Sequence, residues 1–491
     1  MSEVVDQLEE GHETPPPKFS GELEPAQFTI PEAIVRAAKR GNLVLFVGAG
    51  VSTESRLAYP TTLYEELKNA LEWDEANDAT FPRVMSAYEE KFGRRQLVSE
   101  IAERLDYVES FPFISWAATR FHRELSTIAH INKVITTNWD TAFEDYCQAR
   151  PFVVDEDYAF YDLPGRKVFK IHGSIRNVSS LIATDEDYQR REEEFHTSAM
   201  GSSLKHFLAT ETVVFVGFSL TDPDFQNVYR GLLEGLARSR PPAYVVDPFG
   251  AQLAGKFGLR VIEADGTQFL HELKDRLVRD DLLFADAVLG RVEALLYAAE
   301  DARRTLEVSD WRDSAPLFYS LSYLDGMIDA AGRSLARAPS GEVMEKNHLA
   351  HIIRTYDRLL VKAVEVERWW DAAYIDGYRI VLYSFFMEDK DVRTIDLYQA
   401  FDSSDYPGVP DSEGAEQESD GPADDEGHRQ LPNRPEPQVV VDKFSASPTT
   451  ARESIEKGFR IMVAGLPAGR MPRHTPFLDG LMDDDEPLPA L

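Results

Sequence analysis

Residues 42–53 read NLVLFVGAGVST, and this stretch decides the fold. Leu43 to Val47 is a short run of large and β-branched apolar residues without polar alternation, the pattern of a strand buried on both faces of a parallel sheet. It runs straight into Gly48-Ala49-Gly50. Two glycines around an alanine let the chain turn sharply and bring backbone N–H groups close to a ligand. Ser52 and Thr53 add hydroxyl groups at the same edge. An open α/β sheet binds nucleotides at such a strand end. The spacing is not G-x-G-x-x-G, so the turn taken alone is equally compatible with a purely structural role.

Four further apolar runs have the same form. Lys133–Thr137 leads into Asn138-Trp139-Asp140, and Lys167–Ile171 into His172-Gly173-Ser174. Thr212–Phe218 leads into Ser219-Leu-Thr-Asp222, and Ala243–Val246 into Asp247-Pro248. A last short run covers Leu259 to Ile262. Helical patterns lie between them: Pro31–Arg40, Leu63–Leu71 with Thr61 or Thr62 as its cap, much of Phe81–Ala129, and Thr267–Leu277. Asp140 or Thr141 is placed to cap a helix after the second strand, and Asp222-Pro223 to open another. Strands alternating with helices predict an α/β fold, a Rossmann-like doubly wound parallel sheet. Glycine and polar residues repeatedly follow the carboxyl ends of the strands, the ligand edge of such a sheet.

The chain has 491 residues, of which 43% are hydrophobic, enough for two or three domains. Eighty-five acidic residues against 52 Lys and Arg give a net charge of -33, which repels nucleic-acid phosphates and argues against direct DNA or RNA binding. The single cysteine, Cys147, makes neither an intramolecular disulfide nor a four-cysteine zinc site, and reads as a small buried apolar residue. The first twenty residues are acidic and lack an apolar core, and no run approaches membrane-spanning length, so a cytoplasmic location and no membrane partner are expected. His348 and His351 lie three apart on a helical pattern, but no third ligand accompanies them.

Residues 1–24 are expected to be disordered, 25–279 to form the sheet domain, and 280–402 a helical module for oligomerisation or partner binding. In that module Leu289, Val292, Leu296 and Ala299 share one face, as do Ile352, Tyr356, Leu359 and Ala363. Its aromatic end, from Trp369-Trp370 to Phe386, reads chiefly as core. Residues 403–437 read as an acidic linker, and 438–491 as a docking tail with a strand-like Gln-Val-Val-Val and a helix over Arg452–Val463.

The strand-end motifs GAGVS at 48–52, TTNWD at 136–140, KIHGS at 170–174, VGFSLTDPDF at 216–225 and VVDP at 245–248 occur in that order. Together the set resembles the sirtuin family of NAD-dependent deacylases and NAD-cleaving relatives, over about residues 31–277. The resemblance implies that Gly48, Ala49 and Gly50 cradle the NAD pyrophosphate, with Ser52 and Thr53 nearby. It implies that Asn138 serves the nicotinamide-ribose site, with Asp140 two positions on, and that His172 is the catalytic histidine. Gly217 and Ser219 then lie near the adenosine half, and Asp247 at the adenosine ribose. The chemistry is consistent with these residue types: leaving of nicotinamide builds oxocarbenium character on the ribose, which calls for fixed dipoles and a proton acceptor. An amide side chain offers an uncharged acceptor, and imidazole exchanges protons near neutrality.

The departures from the family are informative. Sirtuin deacylases carry two Cys-x-x-Cys pairs that bind zinc, and here there is one cysteine in total. Ser55-Arg-Leu-Ala-Tyr-Pro60 replaces the family's segment after GAG, and Thr137 stands where deacylases usually have glutamine. The pattern resembles the zinc-less branch of bacterial antiphage-defence sirtuin-like domains. That resemblance implies hydrolysis of NAD, as substrate, to ADP-ribose and nicotinamide, with no zinc. The alternatives are a protein deacylase or ADP-ribosyltransferase, and a silent NAD or ADP-ribose sensor that would need neither Asn138 nor His172. The same resemblance implies a homo-oligomer, or a partner such as a DNA-translocating ATPase or a short Argonaute.

Overall fold

The structure, a computed structural model, describes residues 28–52, 61–73, 80–217, 241–248, 258–393, 395, 397, 448–466 and 472–474. The expected disordered N-terminus, the acidic linker, the strand-like Gln-Val-Val-Val and the helix opening at Asp222 lie outside these residues. So do the site candidates Thr53 and Ser219.

Seven strands form one sheet: β1 (Leu43–Val47), β2 (Lys133–Thr136), β3 (Arg150–Phe152), β4 (Lys167–Lys170), β5 (Thr212–Val216), β6 (Ala243–Val246) and β7 (Arg260–Ile262). Their order is β3-β4-β2-β1-β5-β6-β7 and every pairing is parallel. The α/β, Rossmann-like doubly wound architecture is therefore present. The strand order reverses at β1: the chain first fills one side, with β2 next to β1, β3 at the edge and β4 between them, then places β5 on the other side. Ligands of such sheets bind at the carboxyl ends of the strands that flank this reversal.

Burial on both faces explains the unbroken apolar runs. All five residues of β1 and of β5 are buried. Leu43, Leu45, Val47, Val134, Val168 and Val214 face one layer of helices. That layer contains α1 (Glu32–Lys39), α6 (Arg120–Ser126), α7 (Ala142–Cys147) and α10 (Gly266–Arg279). Val44, Phe46, Ile135, Phe169 and Phe215 face the opposite layer, where α9 (Ala199–Thr210) supplies Met200, Leu204 and Phe207. The remaining helices of the domain are α2 (Leu63–Leu71), α3 (Phe81–Phe92), α4 (Arg94–Ser110), α5 (Pro112–Ala118) and α8 (Asp185–Phe195). Between them, α2, α3 and α4 build a smaller core around Leu67, Met85 and Ile101. Thr62 caps α2 through a reciprocal pair with Glu65, as its sequence suggests.

Strand β3 was not among the expected elements. It is three residues long, contains Pro151 and lies at the sheet edge, where a residue without an N–H is tolerated.

A helical module follows: α11 (Ala287–Glu307), α12 (Ala315–Arg337), α13 (Lys346–Glu365), α14 (Trp369–Ser384) and α15 (Asp389–Val392). Val292, Ala299, Ile352, Tyr356, Leu359 and Ala363 are buried in its core, and Leu289 and Leu296 pack partly against it. Helices α12 and α14 touch backbone to backbone, since a Cβ on Gly377 would lie 1.8 Å from the carbonyl oxygen of Tyr323. Residues 336–341 seat the module on the sheet domain. Gln148 Nε2 donates to the carbonyl of Ala336, and the buried Arg166 donates to those of Leu125, Ile128, Ile131, Cys147 and Pro339. The helix read over Arg452–Val463 is present as α16 (Pro448–Gly465). Among the described residues no helix is long and apolar enough to cross a membrane.

Candidate active site

The carboxyl end of β1 closes into a single turn of 3-10 helix over Ala49–Val51. Gly48 N–H donates to the Val216 carbonyl at 3.0 Å and Gly50 N–H to the Gly217 carbonyl at 3.0 Å. The two strand ends flanking the reversal point are thus stitched together. Gly217 has φ +60, and a Cβ on it would lie 2.5 Å from Val51 Cγ1; a Cβ on Gly50 would lie 2.9 Å from the Gly217 carbonyl oxygen. Both glycines are needed for this mutual approach, whatever else binds there. Val51 N–H and Ser52 N–H turn back onto Gly48 and Ala49. Ala49 is the one residue from Gly48 to Ser52 whose N–H has no backbone acceptor among the described residues.

Asn138 lies just past the end of β2 and is 4% exposed. Its backbone N–H donates to Thr136 Oγ1 at 3.0 Å, and that hydroxyl donates to the Val47 carbonyl at 2.9 Å. Its side-chain Nδ2 donates to Ser52 Oγ at 3.0 Å and reaches the Gly48 carbonyl at 3.4 Å. Both amide hydrogens are spent on the turn after β1, and Oδ1 is buried with no partner among the described residues. A buried amide oxygen without a partner is uncommon in a folded chain, and among the described residues this one is an acceptor left open.

Ser52 Oγ in turn donates to Asp140 Oδ2 at 3.0 Å. Asp140 Oδ1 accepts from Ala142 N–H at 3.0 Å, so this carboxylate opens α7 although Thr141 is the boundary residue. Beneath it, Lys170 is 0% exposed; its Nζ donates to the Asp140 carbonyl and lies 3.1 Å from Glu144 Oε1. Burial raises the Glu144 carboxyl above its ordinary range against the opposing pull of Lys170.

His172 follows β4 and is 3% exposed, with its ring 5.0 Å from that of Tyr188. Thr136 pairs with Lys170 in the β2–β4 register. Asn138 and His172 each lie two residues beyond that pair, and so stand on neighbouring strand ends. Ile175 N–H donates to the Trp139 carbonyl and ties the two loops together.

A cleft beside this network is lined by Ser52, Leu105, Val108, Glu109, Asp140 and Tyr146, among others. Burial raises the Glu109 carboxyl, with Asp145, Asp106 and Asp140 adding to it.

The structure therefore gathers Gly48, Ala49, Gly50, Ser52, Asn138, Asp140 and Gly217 into one contiguous edge, with His172 on the adjoining strand end. Asp247 stands at the end of β6, beyond β5, where its N–H donates to the Ile262 carbonyl. Sequence reasoning missed Thr136, Lys170 and Glu144. A lysine inside the short strand KVFK was the one available signal for a buried charge pair. Among the described residues no group of three or more His, Cys, Asp or Glu is placed to hold a metal ion.

An all-parallel sheet with its polar side chains gathered at the reversal point defines a doubly wound α/β domain, and that edge is where ligands of such sheets bind. A family model described as a SIR2-like domain matches residues 132–269, so that part of the chain is SIR2-like. It is similar to the NAD(+) hydrolase ThsA of Enterococcus faecium, at 25% identity over 222 residues, 43% of this chain and 44% of that one. It is also similar to ThsA of Bacillus cereus (strain MSX-D12), at 23% over 202 residues, 38% of this chain and 39% of that one. Defense-associated sirtuin 2 of Bacillus subtilis matches at 25% over 205 residues, 38% of this chain and 19% of that one. The chain spans less than half the length of these curated relatives. A solved chain from "Structural Basis for the Mechanism and Regulation of Sir2 Enzymes" aligns at 16% identity over 51% of this chain and 98% of that one, with a TM-score of 0.28.

Proposed function

We propose that this chain hydrolyses NAD to ADP-ribose and nicotinamide, as a regulated effector of antiphage defence. The observation that carries the reading is the buried Oδ1 of Asn138, without a partner among the described residues, on an amide fixed by Ser52 and Gly48 and standing one strand from His172. The names of the relatives point the same way, toward NAD hydrolysis and defence.

In this reading water adds at the ribose carbon as its bond to the nicotinamide nitrogen breaks, and the water gives up one proton. Asn138 accepts a hydrogen bond from the attacking water and orients it, at no cost in buried charge. His172 takes up the proton, directly or through a ribose hydroxyl. Ser52 and Asp140 keep the Asn138 amide from rotating, which holds the water in line. The acidic cleft around Asp140, Glu109 and Asp145 provides negative potential, which favours a cationic pyridinium ring over a neutral one. Gly48 to Gly50, Ser52, Gly217 and Asp247, with Thr53 and Ser219, are the proposed dinucleotide contacts. Water is the proposed acceptor because the sequence holds one cysteine and so lacks the four-cysteine zinc module of the deacylases.

The test is nicotinamide release from NAD by the purified protein, with and without extract of infected cells. Asn138→Ala and His172→Ala are each expected to abolish release while the melting temperature stays within a few degrees of the parent. Turnover at the parent rate in either variant overturns the assignment.

A further inference from the structure

The chain beyond α16 returns to the helical module at Pro472–His474, and the contacts there are those of a peptide in a recognition pocket. The backbone is held on both sides of Arg473. Arg303 Nη2 donates to the Pro472 carbonyl at 3.1 Å, and His474 N–H donates to Asp325 Oδ2 at 2.9 Å. The side chains are read separately. His474 Nε2 lies 2.8 Å from Asp371 Oδ1, and its ring stacks on Tyr374 at 4.0 Å and 15°. Arg473 lies 3.7 Å from Asp329. His474 is 4% exposed, although the segment that carries it is short and flanked by residues outside the described set.

The receiving side is a built site. Asp325 is buried and also holds Arg303, which sets that carboxylate to accept the incoming N–H. Asp371 is fixed by Arg368. Burial opposes its charge, but the hydrogen bonds from His474 and Arg368 outweigh that and hold its carboxyl below the ordinary range. Tyr374 is pinned by a hydrogen bond from its hydroxyl to Asp329 at 2.8 Å. Every receiving side chain comes from α11, α12 or α14, so rigid elements form the pocket. Backbone capture gives affinity and side-chain pockets give selectivity, which is how extended peptides are recognised generally.

We infer that the helical module carries a linear-peptide pocket selective for an extended Pro-Arg-His segment, filled in this structure by the chain's own tail and open to the same segment of a second copy. Residues 398–447 lie between the module and α16, enough chain for either connection, and loop-closure cost grows only slowly with length. Docking in cis has an effective concentration on the order of millimolar. The tail of a second copy therefore competes only where subunits are held together, and the pocket then links copies without any new surface.

The test uses the full chain and a fluorescein-labelled peptide of residues 468–478. The double variant Arg473→Ala/His474→Ala empties the pocket in cis; His474→Gln is a second emptied form should the double variant melt early. Anisotropy is expected to show the peptide binding the emptied chain at least about tenfold more tightly than the parent, whose own tail competes. The same peptide carrying His474→Ala is expected to bind neither. Equal binding of the two peptides to the emptied chain, or equal binding of the wild-type peptide to parent and emptied chains, overturns the inference.

Discussion

Lys170→Met is the substitution that most directly probes how the site is held. Lys170 has no exposed surface, and the Glu144 side chain beside it is 7% exposed. Glu144 Oε2 lacks a partner among the described residues, so the ammonium is the main compensation for this buried carboxylate. Removing one member of such a pair costs about 3–5 kcal/mol, and the lost hydrogen bond to the Asp140 carbonyl about 1 kcal/mol more. Protonation of Glu144, whose carboxyl burial already raises, limits that loss. The double variant Lys170→Met/Glu144→Leu removes both charges and recovers most of the stability, since well-packed apolar replacements of buried pairs are often neutral. Urea unfolding of the parent, both single variants and the double variant at pH 7.5 gives the coupling directly. Activity separates a second role. The Asp140 carbonyl stays without its donor in the double variant, so the loop carrying Asn138 remains loosened and kcat for nicotinamide release stays low while stability returns. A Lys170→Met chain within about 1 kcal/mol of the parent, or a double variant whose loss is the sum of the singles, refutes the reasoning.

Three other outcomes are expected. Gly217→Ala combines a positive φ with approaches of 2.5 Å to Val51 Cγ1 and 2.9 Å to Val51 N and is expected to cost about 1–3 kcal/mol in unfolding; Val51→Ala in the same chain should relieve the Cγ1 contact and leave the backbone contact and the φ strain, and no loss in the single variant counts against the Gly50–Gly217 contact. Burial pushes His122 and His130 down to about 4 from an ordinary 6.5, so the unfolded chain takes up protons that the folded chain refuses. The stability they contribute is whole above pH 6.5 and is lost as pH falls toward 4, at most about 3 kcal/mol each; urea midpoints from pH 7.5 to 4.5 should fall less steeply in His122→Leu, and an unchanged slope contradicts this. Light scattering is expected to find an oligomer larger than one chain, and a monomer at every concentration removes oligomerisation as the role expected of residues 280–402 and leaves partner binding.

The strand ends were legible because a parallel sheet buries both faces of its strands. Once Leu43–Val47 reads as apolar throughout, the polar residues that follow it have one edge to occupy, and the same logic locates Asn138, His172 and Asp247. The helical module was legible through its 3.6-residue period, and most of its aromatic side chains are core, as that period implies. What remained hidden depends on pairs distant in sequence. No local pattern joins Lys170 to Glu144, or seats His474 on Tyr374. Strand β3 escaped because three residues with a proline carry no period at all.

Gly50 shows where local reading stops. Its sequence context suggests a turn opened for a phosphate, yet its N–H donates to Gly217 and its missing side chain makes room for the Gly217 carbonyl. Four of the five N–H groups from Gly48 to Ser52 are already engaged with backbone carbonyls. A pyrophosphate at this turn would therefore take the N–H of Ala49 alone, or displace the Gly217 carbonyl from Gly50. The second course opens the seam between β1 and β5 at the point where the strand order reverses. On the proposed reading, substrate binding and the parting of these two strand ends are then one event, and the Ser52–Asn138–Asp140 network keeps the β2 side of the site fixed while it happens.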